Sequence, residues 1–109
     1  MTISVRESTA AQVVDVEGEV DLGTSPNLRR ALFDLLGKKP KLALNLRDLR
    51  YIDSSGIATL IEVLQSAHRL QLDFVLFGLN PAVENAFRLT HVNRVFRIVG
   101  TEEEALTPA

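Results

Sequence analysis

The sequence predicts an α/β fold built on a mostly parallel β-sheet with an antiparallel hairpin at its N-terminal edge. Three observations carry this. From residue 25 onward, short apolar runs alternate with segments of helical period, which calls for crossover connections and hence parallel strands. The first two apolar runs, residues 3–6 and 11–17, are separated only by Glu7-Ser8-Thr9-Ala10, and a connection that short joins antiparallel strands. The chain has 109 residues, the size of one domain.

Each element has a local reason. Residues 18–24 read as a loop, and Ser25-Pro26 then marks a helix start. Ser is a favoured N-cap, and Pro in the first turn has no amide hydrogen to lose. Leu28, Ala31, Leu32, Leu35 and Leu36 repeat at helical spacing, Gly37 can end the helix, and Pro40 prevents its continuation. Residues 41–46 form a strand with Leu42, Leu44 and Leu46 on one face and Ala43 and Asn45 on the other. Arg47-Asp48-Leu49-Arg50 reads as a connector leading to Tyr51-Ile52. From Ser54 or Ser55 to about Leu70 the period is helical again. Ile57, Leu60, Ile61 and Leu64 are its expected buried stripe; Thr59, Glu62, Gln65, Ser66 and Arg69 are expected to meet solvent or a partner. Residues 72–77 are apolar on both faces apart from Asp73, which suits a strand covered by other structure. Asn80-Pro81 repeats the cap-plus-Pro device and starts a helix to about Thr90. Residues 95–99 are the last strand. Thr101 with Glu104 three residues on is a capping box for a short terminal helix.

Composition excludes several functions. Hydrophobic residues make up 46% and charged residues 24%, enough for an ordinary core. With no Cys, disulfides, thiol chemistry and Cys-based zinc sites are out. The two His, His68 and His91, are far from ligand spacing. The net charge is -2, and the basic residues are scattered apart from Lys38-Lys39-Pro40-Lys41, which reads as a polar loop; nucleic-acid binding is not expected. No apolar run approaches the ~20 residues of a membrane helix, and residues 1–6 carry no signal-peptide pattern. The chain is therefore expected to be cytoplasmic, without direct membrane insertion. Phosphate-binding Gly loops are missing, and Ser54 and Ser55 are not framed as Gly-x-Ser-x-Gly. A Ser nucleophile would need a His base, and His68 lies about 20 Å along the helix axis from Ser54. No catalytic residue, cofactor or metal is expected, and the chain reads as a non-enzyme.

Two segments remain: Gly18-Glu19-Val20-Asp21-Leu22-Gly23-Thr24 and Tyr51-Ile52-Asp53-Ser54-Ser55-Gly56-Ile57. Each lies where a strand hands over to a helix. In a parallel sheet the C-terminal ends of strands gather on one edge, so the two segments are expected side by side. On residue type alone, turn and cap chemistry is the favoured explanation of Asp21 and Asp53, and Ser54 can be read as an ordinary helix cap.

Together, in this order of strands and helices, the two segments resemble the STAS domain family, and the resemblance spans nearly the whole chain. It implies one STAS domain over residues 1–109 with helices packed mainly on one face. The family's Gly-x-hydrophobic-Asp-x-x-Thr segment is matched by Gly18, Val20, Asp21 and Thr24, and its Asp-Ser-Ser/Ala-Gly segment by Asp53, Ser54, Ser55 and Gly56. Asn80-Pro81-Ala82-Val83 and Val92-Asn93-Arg94-Val95-Phe96 match a typical closing part. The chain departs from the family at Arg69-Leu70-Gln71-Leu72, where many members carry a Gly pair.

Within the family, the resemblance to bacterial anti-sigma-factor antagonists implies that Ser54 is phosphorylated. The implied partner is a serine kinase that is also the anti-sigma factor. Unmodified protein would bind it and free a sigma factor, phosphorylated protein would let go, and a phosphatase would reset the cycle. Asp21, Thr24, Asp53, Ser55, Gly56, Thr59 and Glu62 are then the expected partner-binding residues. The same resemblance also admits an accessory subunit of a lipid-handling ABC-type transporter, whose partner would be a transporter ATPase or permease. It admits as well a scaffold component of stress-signalling assemblies.

Overall fold

The computed structural model describes residues 1–108. Among these lie β1 (Thr2–Glu7), β2 (Ala11–Val20), α1 (Ser25–Leu35), β3 (Lys41–Asn45), β4 (Leu49–Ile52), α2 (Ser54–Arg69), β5 (Asp73–Phe77), α3 (Pro81–Leu89), β6 (Arg97–Val99) and α4 (Glu102–Leu106). The sheet order is β1-β2-β3-β5-β6, with β4 pairing to β2 off this path. β1 is antiparallel to β2, and the other pairs are parallel. The mixed α/β domain with an edge hairpin, expected from the alternation of runs, is what forms.

Strand alternation divides the core in two. Val14 and Val16 of β2, Leu42 and Leu44 of β3 and Phe74 and Leu76 of β5 pack on one side with Leu28 and Leu32 of α1, Ile57, Leu60 and Val63 of α2, and Val83 and Phe87 of α3. Val13, Ala43, Val75 and Phe77 point the other way and pack with Ala105 of α4. Three helices thus cover one face and one short helix lies on the other. Ion pairs fasten α4: the Arg6 guanidinium on β1 bridges Asp15 at 2.8 Å and Glu102 at 2.6 Å. Lys41 Nζ donates to the Ala105 carbonyl at 2.6 Å, a cation at a helix C-terminus, where the dipole favours it.

Three sequence expectations are corrected. First, residues 18–20 are not loop. β2 runs on to Val20, pairing with β3 from Ala11↔Lys41 to Asp15↔Asn45 and then with β4 at Gly18↔Leu49, Glu19↔Tyr51 and Val20↔Ile52. The register shifts between Gly18 and Glu19, and Gly18 takes φ +97°, which a side chain would resist. β3 and β4 are two lengths along the same side of β2, interrupted by a turn in which the Leu49 N–H donates to the Leu46 carbonyl at 3.2 Å. The stretch read as a connector is therefore partly a sixth strand. The Asn80 side-chain amide donates to the Leu49 carbonyl and ties the start of α3 to it.

Second, Thr24, not Ser25, is the N-cap of α1; Ser25 is the first helical residue and is buried, 6% exposed. Third, the buried face of α2 runs through Gly56, Ile57, Thr59, Leu60, Val63 and Ala67, while Ile61 and Leu64 are only half-buried. Thr59, expected at the surface, is 6% exposed. Its hydroxyl donates to the Ser55 carbonyl one turn back at 3.1 Å, and a hydroxyl satisfied in this way can be buried.

Candidate functional site

The register of β2 and β4 builds the site. Val20 and Ile52 are partners in parallel strands, so the residues that follow them, Asp21 and Asp53, emerge side by side. The Asp53 N–H donates to the Val20 carbonyl at 3.1 Å. The two motif segments therefore share one rim.

The loop from Asp21 to Thr24 braces itself. Asp21 Oδ1 accepts from the N–H groups of Gly23 at 2.9 Å and Thr24 at 3.1 Å, while Thr24 Oγ1 accepts from the Asp21 N–H at 2.9 Å. Thr24 Oγ1 lies 3.1 Å from the Glu19 carbonyl oxygen and 3.2 Å from Asp21 Oδ1, and its hydroxyl can donate to either. The Ser25 N–H donates to the Asp21 carbonyl at 2.8 Å and leads the chain into α1. Asp21 and Thr24 are both half-buried, so they shape the loop and keep only part of their surface for anything that docks. Between them stands Leu22, 78% exposed. Sequence reading passed over it; the available signal was an apolar residue set between Asp and Gly in a turn.

Asp53 is the N-cap of α2. Its Oδ1 accepts from the Ser55 N–H at 2.9 Å, the Gly56 N–H at 3.2 Å and the Ser55 hydroxyl at 2.6 Å. The Ser55 hydroxyl, against a smaller opposing effect of burial, holds the Asp53 carboxyl below the usual carboxylate range; the Gly56, Ser55 and Leu22 N–H groups add to this.

The two serines are thereby separated. The Ser55 hydroxyl is committed to the cap, and Ser55 is half-buried. Ser54, the first residue of α2, is exposed. Gly56 is buried, and a Cβ there would lie 2.6 Å from Ile52 Cγ1 and 2.7 Å from Val20 Cγ1. Its missing side chain lets α2 press onto the β2–β4 pair. Of the expected partner-binding residues, Gly56 and Thr59 are thus turned into the fold. Glu62 is exposed but pairs with Arg29 of α1 at 2.8 Å, and the Arg29 guanidinium also lies 4.8 Å from the centre of the Phe33 ring.

Chemically, the rim offers an exposed hydroxyl on a helix N-terminus beside two carboxylates. Nothing next to Ser54 activates it as a nucleophile; His68 lies in the last turn of α2 and is exposed. Among the described residues, no three His, Cys, Asp or Glu side chains gather to hold a metal ion. No helix among them is long and apolar enough to cross a membrane.

The fold and this rim define a small α/β domain with a pair of strand-to-helix loops side by side on one edge. The chain belongs to the STAS domain family, whose model matches residues 2–105. A Listeria monocytogenes protein named anti-sigma-B factor antagonist is 27% identical over 106 residues, covering 95% of this chain and 93% of that protein. The crystal structure of an anti-sigma factor antagonist from Mycobacterium paratuberculosis superposes with a TM-score of 0.87 at 25% identity, covering 96% of this chain and 90% of that one. A Thermotoga maritima structure at 24% identity has the same fold, with a TM-score of 0.88 over 95% of this chain and 91% of its own.

Proposed function

We propose that this chain is an anti-sigma-factor antagonist that works as a phosphorylation-controlled protein–protein switch. Unmodified, it docks through the rim of Asp21, Thr24, Asp53 and Ser54 onto an anti-sigma factor that is also a serine kinase. Docking frees the sigma factor. The kinase then transfers the γ-phosphoryl group of ATP to Ser54 Oγ: the new O–P bond replaces the bond to the β-phosphate, ADP leaves, and the hydroxyl proton passes to the kinase or to solvent. A phosphatase restores the hydroxyl by hydrolysis. The protein itself catalyses nothing in this cycle and acts in the cytoplasm.

The observation that carries this reading is the division of labour between Ser54, exposed on the rim, and Ser55, whose hydroxyl is spent on Asp53. The names of the Listeria and Mycobacterium relatives support it.

Magnitudes favour a switch of binding over a change of fold. The helix N-terminus stabilises an exposed phosphate by about 0.3–1 kcal/mol. Repulsion from Asp53 is of similar size at a surface screened by water and salt. Binding feels more. A phosphate adds about -1.5 to -2 charges, and in a closed interface it must be desolvated. A kinase that has just delivered its phosphoryl group holds ADP, so phosphoserine faces the remaining nucleotide phosphates at close range. Like-charge juxtaposition of this kind costs several kcal/mol. A near-complete release needs about 5.5 kcal/mol, which is within reach of the interface and far beyond the effect on the fold.

Intact-mass measurement after incubation with ATP and the purified kinase tests the proposal. Wild type is expected to gain one phosphoryl group and Ser54→Ala none. Ser54→Ala is expected to stay bound to the kinase, and Ser54→Asp to be released. Phosphate uptake by Ser54→Ala defeats the site assignment. Wild-type affinity of Ser54→Asp defeats the switch.

A further inference from the structure

We propose that Leu22 is the apolar anchor of this contact, seating in an apolar pocket of a partner protein whose border is basic opposite Glu19 and Asp21. The proposal rests on the reading that a protein docks on this rim, and it adds a residue and a chemistry to that reading.

Leu22, at 78%, is the most exposed large apolar side chain among the described residues, and it stands at the rim. It contributes little to the fold from there. Its backbone is nevertheless held on both sides. Asp21 and Thr24 bond to each other across it, the Ser25 N–H holds the Asp21 carbonyl at 2.8 Å, and the Asp53 N–H ties the base of the loop through the Val20 carbonyl at 3.1 Å. A side chain presented on a fixed backbone loses less freedom on docking, and that is the condition for an anchor.

Charge selects the occupant. Exposed Glu19 and half-buried Asp21 and Asp53 lie on and beside this loop, and exposed Arg50 and Tyr51 of β4 flank Glu19 across the register shift; three carboxylates against one guanidinium leave the border acidic. An acidic border repels an anionic membrane surface and also repels the same patch on a second copy of this chain. It complements a protein pocket edged by Lys or Arg. Position also separates two tasks: the anchor supplies affinity whatever the state of Ser54, and the Ser54 hydroxyl decides release.

The test uses the full chain. A photo-crosslinking amino acid is placed at Leu22 and, as control, at Leu89, which is 70% exposed on α3. Both proteins are irradiated in the native cell lysate, and the protein captured from position 22 is expressed, purified and titrated. Capture is expected from position 22 and not from 89. Leu22→Ala is expected to weaken binding of the purified partner about tenfold or more, the factor that burying one Leu side chain supplies. Its melting temperature should match wild type. Glu19→Gln should flatten the salt dependence of binding, whereas Leu22→Ala should leave that slope alone. If position 22 captures nothing beyond the control, or if Leu22→Ala binds within about twofold of wild type, the anchor is refuted, since a buried Leu is worth more than that. Either failure leaves phosphorylation of Ser54 to be judged by mass. Conversely, a captured transporter component whose binding needs Leu22 upholds the anchor and defeats the sigma-factor reading.

Discussion

α1 and α2 both begin one short step beyond a strand of the same parallel pair, both follow an Asp, and both start with a serine. Yet Ser25 is 6% exposed and Ser54 stands in solvent. The difference lies in where the Asp sits. Asp53 immediately precedes its helix, and its carboxylate folds over the first turn to take two N–H groups and the Ser55 hydroxyl. The residue between cap and bonded amides is left facing outward. Asp21 lies four residues ahead of Ser25, and its carboxylate is used up on Gly23 and Thr24 in a loop of its own. Thr24 occupies the cap position without making a side-chain cap bond, and the serine after it turns inward. An Asp that caps its helix directly leaves the next hydroxyl outside; an Asp spent on a loop of its own leaves the helix start to turn inward.

The largest effect expected from this contrast is all-or-none. With the cognate kinase and ATP, Ser54→Ala should take up no phosphate, whereas Ser25→Ala should be labelled as wild type is. Phosphopeptide mapping that placed label on Ser25 would break the comparison.

Next in size is the glycine of each motif. Gly56→Ala drives a methyl group to within 2.6 Å of Ile52 Cγ1 and 2.7 Å of Val20 Cγ1, both buried, so one side must move. Overpacking of this kind costs roughly 1–3 kcal/mol. At Gly23 the nearest atom to a new Cβ is Asp21 Oδ1 at 3.4 Å, an ordinary contact, and Gly23→Ala should stay within about 0.5 kcal/mol. Urea denaturation of the two variants measures the difference directly.

The cap itself comes third. Asp53→Ala should cost about 1–2 kcal/mol at neutral pH, and Asp53→Asn less, because Asn also caps well. The pH dependence has a fixed sign. The folded pKa of Asp53 is depressed, chiefly by the Ser55 hydroxyl. Its contribution is therefore fully present above the ordinary carboxylate pKa and is lost as pH falls through the folded value. Wild type should lose its advantage over Asp53→Asn in that acid window, and a gap that widened there would contradict the assigned hydrogen bonds.

These contrasts were only partly legible in the sequence. The antiparallel edge hairpin, the parallel pairing of the later strands, the Asn80 and Thr101 caps and the meeting of the two motifs follow from run lengths, cap residues and the geometry of parallel strands. β4 was hidden because its four residues are buried, exposed, exposed and buried, which matches no strand period, and because it pairs with β2 beyond a register shift. Thr59 was placed outside on polarity, yet a Thr in a helix can satisfy its hydroxyl on the preceding turn and take a core position. Ser25 was read as a cap because Ser-Pro fits that role locally; the loop bonds of Asp21, which shift the cap by one residue, depend on side-chain geometry that residue type does not fix.

The smallest effect separates fold from switch at the far end of α2, about 24 Å from the rim at 1.5 Å per residue. There the chain turns through Gln71 at φ +59°, where the Gln71 N–H donates to the His68 carbonyl at 3.1 Å and the Leu72 N–H to the Ala67 carbonyl at 2.8 Å. α3 ends the same way: His91 has φ +59°, with bonds from His91 to Arg88 and from Val92 to Phe87. This geometry is the one a helix end usually gives to Gly, and it explains why the missing Gly pair leaves the fold intact: a Gln bears the left-handed turn at a cost. That cost is about 1–2 kcal/mol, while Gly loses about 0.5–1 kcal/mol more backbone entropy on folding. Gln71→Gly and His91→Gly should therefore each stabilise the protein by roughly 0.5–1 kcal/mol, the difference of those two figures. Neither should change the rate at which Ser54 is phosphorylated or the affinity of the rim for its partner. A Gln71→Gly variant that gained stability and also bound differently would mean that the rim responds to the whole length of α2, and the local account of cap and exposed serine would have to be widened to the helix as a moving part.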